Sequence, residues 1–436
     1  MKKILTLTAL GTILVASNAM AAGFHLREQS AAAQGNAFAG ATAGAENNSY
    51  SYFNVAGLTR QKGTQINMGA TYVVPRAEAG NIRDENGRRN QDIHNIVHSA
   101  WVPNGTISHQ VDDKLTLGLG LNVPYGMITK YDSEWLGADH GITSKVMSTT
   151  VTPMAAYKLN DKLSIGAGLQ MQYIKARLTS SMTGTGGTPY ASLGKTSLEG
   201  DTFDIGYQLG AMYEFNDKTR LGVNYRSEIN HKLKGDISSP NAGMIAGANY
   251  GPIAGQAFGA ALNQDISARL DTPAMLSVGA YHQINDKWAV MAEYQRVFWS
   301  SFENLDIMGK DNRHPLNGSY LISHTAENWR DTDFFAIGAS YQIDDQWKLR
   351  LGLAKDESAA RKAQRTPRIP DSDRTWYSAG LNYQYNENLT FDIAYTYIQA
   401  KDASMDTALT GNGGNHVSAD YKNSVKLFGL SLNYKF

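Results

Sequence analysis

Ile343-Asp344-Asp345-Gln346-Trp347-Lys348-Leu349-Arg350-Leu351-Gly352-Leu353 decides the class of fold. Asp and Asn side chains bond their own main chain and tolerate left-handed backbone, so Ile343 to Gln346 reads as a tight turn. The residues after it alternate with period two. Trp347, Leu349, Leu351 and Leu353 face one way, and Lys348, Arg350 and Gly352 the other. The same turn recurs as Val111-Asp112-Asp113-Lys114, Leu159-Asn160-Asp161-Lys162, Phe215-Asn216-Asp217-Lys218, Ile284-Asn285-Asp286-Lys287 and Tyr385-Asn386-Glu387-Asn388. Its flanks alternate too: Ile165, Ala167, Leu169, Met171 and Tyr173 oppose Gly166, Gly168, Gln170 and Gln172. A repeated turn between alternating runs is the signature of an all-β antiparallel protein.

Composition narrows the setting. The chain has 436 residues, 40 basic and 40 acidic, with 42 Gly, 23 Tyr and no Cys. Without Cys there is no disulfide framework, Cys-ligated metal or thiol catalysis. Balanced charge without a basic run argues against a nucleic-acid partner. A mean hydropathy of −0.37 is too polar for a helical membrane protein. Lys2 and Lys3, the apolar run Ile4 to Ala16, and Ala19-Met20-Ala21 read as a signal peptide over residues 1–21. Beyond it no apolar stretch approaches the ~20 residues a spanning helix needs. Membrane residence therefore requires a closed barrel.

Two features favour a barrel over a soluble sandwich. Tyr157, Tyr213, Tyr341 and Tyr383 each stand three residues before a turn Asn or Asp, and Trp288 and Trp347 follow turns closely. Tyr281 stands four before its turn, one residue out of register. This is an interfacial aromatic girdle at the short-turn end. The C-terminus alternates Phe428, Leu430, Leu432, Tyr434 and Phe436, similar to the terminal strand read by the outer-membrane insertion machinery. Six short turns, with both barrel ends on the same side, give 14 strands. Seven longer connections then face outward, at about 75–96, 124–142, 178–200, 234–269, 304–329, 356–372 and 400–421.

The barrel begins near Thr64 and runs to 436. Residues 22–63 lack strand alternation and are rich in small residues, including Ala31, Ala32, Ala33, Gly35, Ala37, Ala39 and Gly40. They are expected to form a plug, or hatch, inside the lumen; the alternative is a disordered periplasmic tail.

The sequence resembles the FadL-type outer-membrane transporters of long-chain fatty acids and other hydrophobic compounds. The resemblance rests on Ala22-Gly23-Phe24 with Leu26, on Ala100-Trp101-Val102-Pro103-Asn104, and on Ile369-Pro370-Asp371-Ser372-Asp373-Arg374 with Trp376. It implies a 14-stranded barrel with an N-terminal hatch in the cell outer membrane. The family's Asn-Pro-Ala near the hatch end reads Asn54-Val55-Ala56 here, which puts the local hatch conformation in question.

Proline placement suggests how a greasy substrate would leave. Pro103, Pro124 and Pro153 fall in or at the ends of strands two, three and four. Each removes a ladder bond in a wall with no edge. Asn122-Val123-Pro124-Tyr125-Gly126 reads as a kink in strand three that opens the wall sideways, and the resemblance implies lateral release there. The residues assigned to this gate are Pro124, Tyr125 and Gly126. Harmless bulges are the alternative for Pro103 and Pro153. The Gly/Ala-rich loop at 234–269 is read either as an outer capture surface or as a flexible loop.

Parity from Tyr341 turns Arg330 inward if the strand reaches it. By resemblance Arg330 is the candidate for the substrate head group, and Phe24 inserts into the ligand pocket. The alternative for Arg330 is a lumen ion pair with Asp331 or Asp333. Lys175 and Arg177 share the outward parity of Tyr173 and would reach lipopolysaccharide at the outer interface.

Gly194-Lys195-Thr196 resembles a phosphate loop, but Pro189 stands where Gly is required. No G-x-S-x-G or H-E-x-x-H occurs. His94 and His98 border a strand, where that spacing does not converge on a metal. The expectation is a non-enzyme with no cofactor, metal site or catalytic residue. It passes a long-chain fatty acid or other hydrophobic small molecule and contacts outer-membrane lipid. A general porin and a surface adhesin barrel are the alternatives.

Overall fold

The structure, a computed structural model, describes residues 23–183, 189–315, 318–408 and 416–436. The expected signal peptide lies outside the described residues.

Fourteen antiparallel strands close into one barrel: β1 (Thr64–Asp84), β2 (Ala100–Gln110), β3 (Leu115–Asn122, resuming as Gly126–Lys130), β4 (Thr143–Lys158), β5 (Leu163–Thr183), β6 (Pro189–Asn216) and β7 (Thr219–Arg226, resuming as Lys232–Ser238). Then follow β8 (Asn263–Arg269, resuming as Met275–Gln283), β9 (Trp288–Val297, resuming as Asn304–Gly309), β10 (Leu321–Ala326, resuming as Thr332–Gln342), β11 (Trp347–Asp356) and β12 (Arg374–Gln384). The last two are β13 (Leu389–Ala400, resuming as Ala403–Ala408) and β14 (His416–Lys435). β14 returns to β1 in a ladder from Gln65↔Lys435 to Asp84↔Val417, so the sheet closes on itself.

The six short turns share one chemistry. Asp112 Oδ1 accepts the amides of Lys114 (2.7 Å) and Leu115 (2.8 Å). Asn160, Asn285, Asp344 and Asn386 accept the two corresponding amides in the same way. Asn216 accepts that of Lys218. Aromatic rings collect just inside these turns on the outer surface. Trp288 packs on Tyr341 (4.7 Å) and Trp347 on Tyr383 (4.4 Å). Tyr281, the residue out of register, faces the lumen instead, under the guanidinium of Arg220 at 3.8 Å.

The outward segments differ from the sequence expectation. Most are not loops but continuations of the strands, such as β1 to Asp84 and the outer pieces of β7 to β10. Backbone polar groups beyond the bilayer still pair best with a neighbouring strand, so hairpins keep growing until a turn stops them. The segment at 234–269 is built from two strand pieces and two short helices, Ala242–Tyr250 and Pro252–Ala261.

Inside the barrel, residues 23–63 are almost wholly buried. They carry two short helices, α1 (Ala31–Gly35) and α2 (Ala41–Gly44), and two 3-10 turns, Asn48–Tyr52 and Val55–Arg60. The wall makes room by having no side chain at the contact points. A Cβ at Gly222 would collide with the Thr42 carbonyl, and one at Gly352 with the backbone of Asn36. Many of the segment's polar groups are satisfied by the wall. Asn36 Nδ2 donates to Ala339 O (2.8 Å), and Asn48 Nδ2 to Gln65 O (3.0 Å). Arg350, buried, donates to Glu46 Oε2 (2.6 Å) and Asp392 Oδ1 (2.7 Å). Asn54 Nδ2 donates to Thr42 O (2.8 Å) and Ala211 O (3.0 Å), and its Oδ1 accepts from Ala56 N (3.0 Å). Asn54 thus starts the last 3-10 turn as a cap. Val55, in the place of the family's Pro, is its first residue.

Candidate functional site

β7, β8, β9 and β10 are all interrupted at neighbouring levels, just outside their membrane-spanning halves. The interruptions turn Leu270, Trp299, Phe302 and Trp329 inward, where they are buried. Trp299, Phe302 and Trp329 form an aromatic cluster with Phe24. The Phe24 ring stands 4.9 Å from Trp299, 5.7 Å from Tyr125 and 5.9 Å from Trp329.

Against Phe24 lies a narrow apolar cavity of about 70 Å³. Phe24 and Met127 line it from one side, and Val146, Leu233, Ile266 and Phe302 line it from others. Those apolar walls suit an acyl chain or a ring, at ~0.8 kcal/mol per buried CH₂.

Three charged residues line this cavity: Glu199, whose carboxylate pairs with Lys175 and Arg177, and, from outside the strands, Glu327 and Arg368. Arg368 Nη1 donates to Ser144 Oγ (3.0 Å) and Thr143 O (3.4 Å). Its surroundings lower the guanidinium to about 10, chiefly by burial, which leaves it charged at neutral pH. Glu327 Oε2 accepts from Trp329 Nε1 at 2.9 Å. Burial raises its carboxyl to about 7, against the pull of that N–H and of Arg368.

At the expected gate the wall is incomplete. The β2–β3 ladder runs from Gln110↔Thr116 only to Gly105↔Leu121. Beyond it, Ala100 to Asn104 pair with β1 alone, and Gly126–Lys130 pairs with β4 alone. The β3–β4 register moves by one residue across the break, from Asn122↔Thr150 to Gly126↔Met147. Higher up, Lys130 N donates to Ile96 O (2.8 Å). What fills the break is the N-terminal segment. Leu26 N donates to Pro124 O (2.7 Å), Gly126 N to Phe24 O (2.9 Å), and Gln29 Nε2 to Val123 O (2.7 Å). Tyr125, buried, has its amide held by Ser148 Oγ at 2.9 Å. Pro153 skips a β5 partner without changing register, as Val151↔Met171 and Met154↔Gly168 flank it. Pro103 keeps its place opposite Ala70 on β1.

Phe24, Pro124, Tyr125 and Gly126 thus come together, and Asn54 and Ala56 lie deeper in the lumen. Arg330 stands apart. β10 resumes only at Thr332, so no strand carries Arg330 inward. Its Nε donates to Ser358 O (2.9 Å), its Nη2 pairs with Asp373 (3.4 Å), and its side chain is 44% exposed. The cation at the cavity is Arg368, which sequence reasoning passed over. The one available signal was its place just before the Ile369-Pro370-Asp371 motif.

Related proteins match the chain over nearly its whole length. A long-chain fatty acid transport protein of Escherichia coli O6:H1 is 28% identical over 98% of this chain and 97% of its own. A 47 kDa outer membrane protein of Pasteurella multocida is 31% identical over 99% and 98%. The crystal structure of a Pseudomonas aeruginosa FadL homologue superposes with a TM-score of 0.84 at 26% identity, covering 95% of this chain and all of that one. Residues 12–436 match the family described as outer membrane protein transport protein (OMPP1/FadL/TodX), and the chain belongs to that family of outer-membrane transporters of hydrophobic compounds.

Proposed function

We propose that the protein carries long-chain fatty acids or similar hydrophobic molecules passively across the outer membrane, leaving sideways through the break between β2 and β3. The observation that carries this reading is the double role of residues 24–26. The ring of Phe24 lines the apolar cavity, while its carbonyl and the Leu26 amide bond to Gly126 and Pro124 in the break. A substrate that displaces the ring loosens those bonds and opens the wall toward lipid. Residues 22–63 act as a hatch that denies the lumen to water-soluble solutes, which sets the reading apart from an open porin. The outer segments gather substrate, and Arg368 rather than Arg330 meets a carboxylate at the cavity. Outward Lys175 and Arg177, sharing Glu199, meet lipopolysaccharide phosphates. The C-terminal alternation ending at Phe436 addresses the barrel to the insertion machinery.

Uptake of radiolabelled oleate tests this, in cells lacking their own transporter and beside a small polar solute. Oleate uptake without solute flux is the expected result. Solute flux alone would mean an open pore and overturn the hatch.

A further inference from the structure

A smaller polar cleft lies on the other side of the chain from the apolar cavity. Phe24 lines the cavity, and the next residue, His25, lines the cleft with Arg27, Tyr52, Asn224 and Arg226. All five of these cleft side chains are more than nine-tenths buried.

Arg226 differs from the other buried arginines around it. Arg27 faces Asp356 (3.9 Å), Arg350 faces Asp392 (2.7 Å) and Arg374 faces Asp371 (3.0 Å). No carboxylate among the described residues stands within ion-pair distance of Arg226. Its Nη2 donates to Tyr52 O (2.9 Å) and Gln208 Oε1 (3.1 Å), and its guanidinium lies 4.1 Å from the Tyr52 ring centroid. Arg220 also lacks a carboxylate, but its Nε and Nη2 are taken up by the Ala43 and Gly44 carbonyls. A buried cation without a counter-ion is costly, and proteins rarely keep one idle. Two more polar atoms in the same cleft have no hydrogen-bond partner, His25 Nε2 and the Tyr52 hydroxyl. Three groups able to donate to an anion therefore converge in one cleft that contains no anion of its own.

We propose that Arg226, the Tyr52 hydroxyl and His25 form an interior station for the carboxylate of a passing substrate. This rests on the transport reading above and narrows its substrate class to carboxylated amphiphiles. The cleft is too tight to admit a chain while residues 24–26 stay in place. A substrate that displaces Phe24 moves His25 with it, because the two are consecutive. The head group then leaves Arg368 at the outer cavity and finds a second cation one step inward. An uncharged hydrocarbon has nothing to offer that cation.

The test compares oleate with oleyl alcohol, which has the same chain and no charge, in cells lacking their own transporter. Barrel assembly is checked by the heat-dependent shift on a gel. Arg226→Met should lower oleate uptake about tenfold or more, the scale of a lost charged hydrogen bond, and leave oleyl alcohol uptake unchanged. Arg226→Lys should recover part of the loss. Tyr52→Phe, which keeps the ring and removes only the hydroxyl, should lower oleate uptake alone. Normal oleate uptake in both Arg226→Met and Tyr52→Phe would overturn the station and leave the transport reading standing. Equal loss of both probes in an assembled barrel would mean that Arg226 only braces the hatch, which also overturns the station. If the unmodified protein carried neither probe, the transport reading itself would fall.

Discussion

The carbonyl of Phe24 accepts the Gly126 amide at 2.9 Å while the Phe24 ring lines the apolar cavity. One residue therefore joins the place where substrate would sit to the place where the wall is broken. On the proposed reading, occupancy of the cavity and closure of the wall compete for it. Saturating the purified protein with oleate should speed hydrogen exchange at the Gly126 and Leu26 amides, both of which bond across the break. Exchange is the right observable because it reports local opening rather than average structure. Unchanged protection at both amides would disconnect the cavity from the break.

The break itself should be necessary. Replacing Pro124 and Gly126 together with Val offers β3 a continuous backbone with every donor restored, and β-branched residues fit a pleated wall. The barrel should assemble normally and oleate uptake should be abolished. Normal uptake in that variant would sink lateral exit through β3.

The wall glycines give an independent handle on the hatch. Gly222 stands directly beneath the Thr42 carbonyl, so Gly222→Leu forces the N-terminal segment away from the wall. Overpacking of this kind costs about 1–3 kcal/mol, small beside the fourteen-strand ladder. The barrel should survive with its hatch displaced, and liposomes carrying the variant should become permeable to small sugars. Liposomes as tight as those with the unmodified protein would mean that residues 23–63 do not seal the lumen.

Much of this was legible in sequence because the signals were local. The turn Asn and Asp residues bond amides two or three positions away, so spacing alone located all six turns, and parity placed Tyr341 outward; that Tyr281, one residue out of register, faces the lumen is a finding of the structure. The strand breaks in β9 and β10 were not legible, because no proline or repeated motif marks residues 298–303 or 327–331, whereas the β8 break carries Pro273, a signal that sequence reasoning passed over. Parity read through a break loses its meaning, and that is why Arg330 was turned inward on paper and lies at the rim. Arg368 belongs to a segment without period, whose direction is set only by packing against β4. Of the inner-face glycines, Gly352 was visible on the polar face of its strand, and Gly222 was not singled out. Their purpose, close approach of another backbone, depends on knowing what fills the lumen.

Acidity at the cavity mouth should tune affinity. Burial raises the Glu327 carboxyl to about 7. Below that pH it is neutral and Arg368 acts alone on a carboxylate; above it, the new negative charge offsets Arg368. Oleate affinity should therefore fall between pH 6 and about 8, as the sign of the added charge requires. A value raised by folding also means that Glu327 contributes most to stability in acid and loses that contribution as pH climbs through 7. Glu327→Gln should flatten the affinity profile at its acid-side level. A profile that keeps its slope in Glu327→Gln would assign the titration elsewhere.

One buried tie between the N-terminal segment and the wall is Arg350, which bridges Glu46 and Asp392 of β13. Arg350 is 1% exposed, so its removal leaves two carboxylates without their main partner. Breaking one side of a buried pair typically costs about 3–5 kcal/mol, more than the pair itself is worth. Glu46→Gln is milder, because Arg350 keeps Asp392 and an amide oxygen can still accept from its Nη2. In limited proteolysis of the assembled barrel, Arg350→Met should expose the hatch to cleavage at rates well above Glu46→Gln. Combining Arg350→Met with Asp392→Asn should recover part of the loss by removing the orphaned charge. Additive damage in that double variant would mean the two side chains act separately, and that the hatch is held by its backbone contacts to the wall.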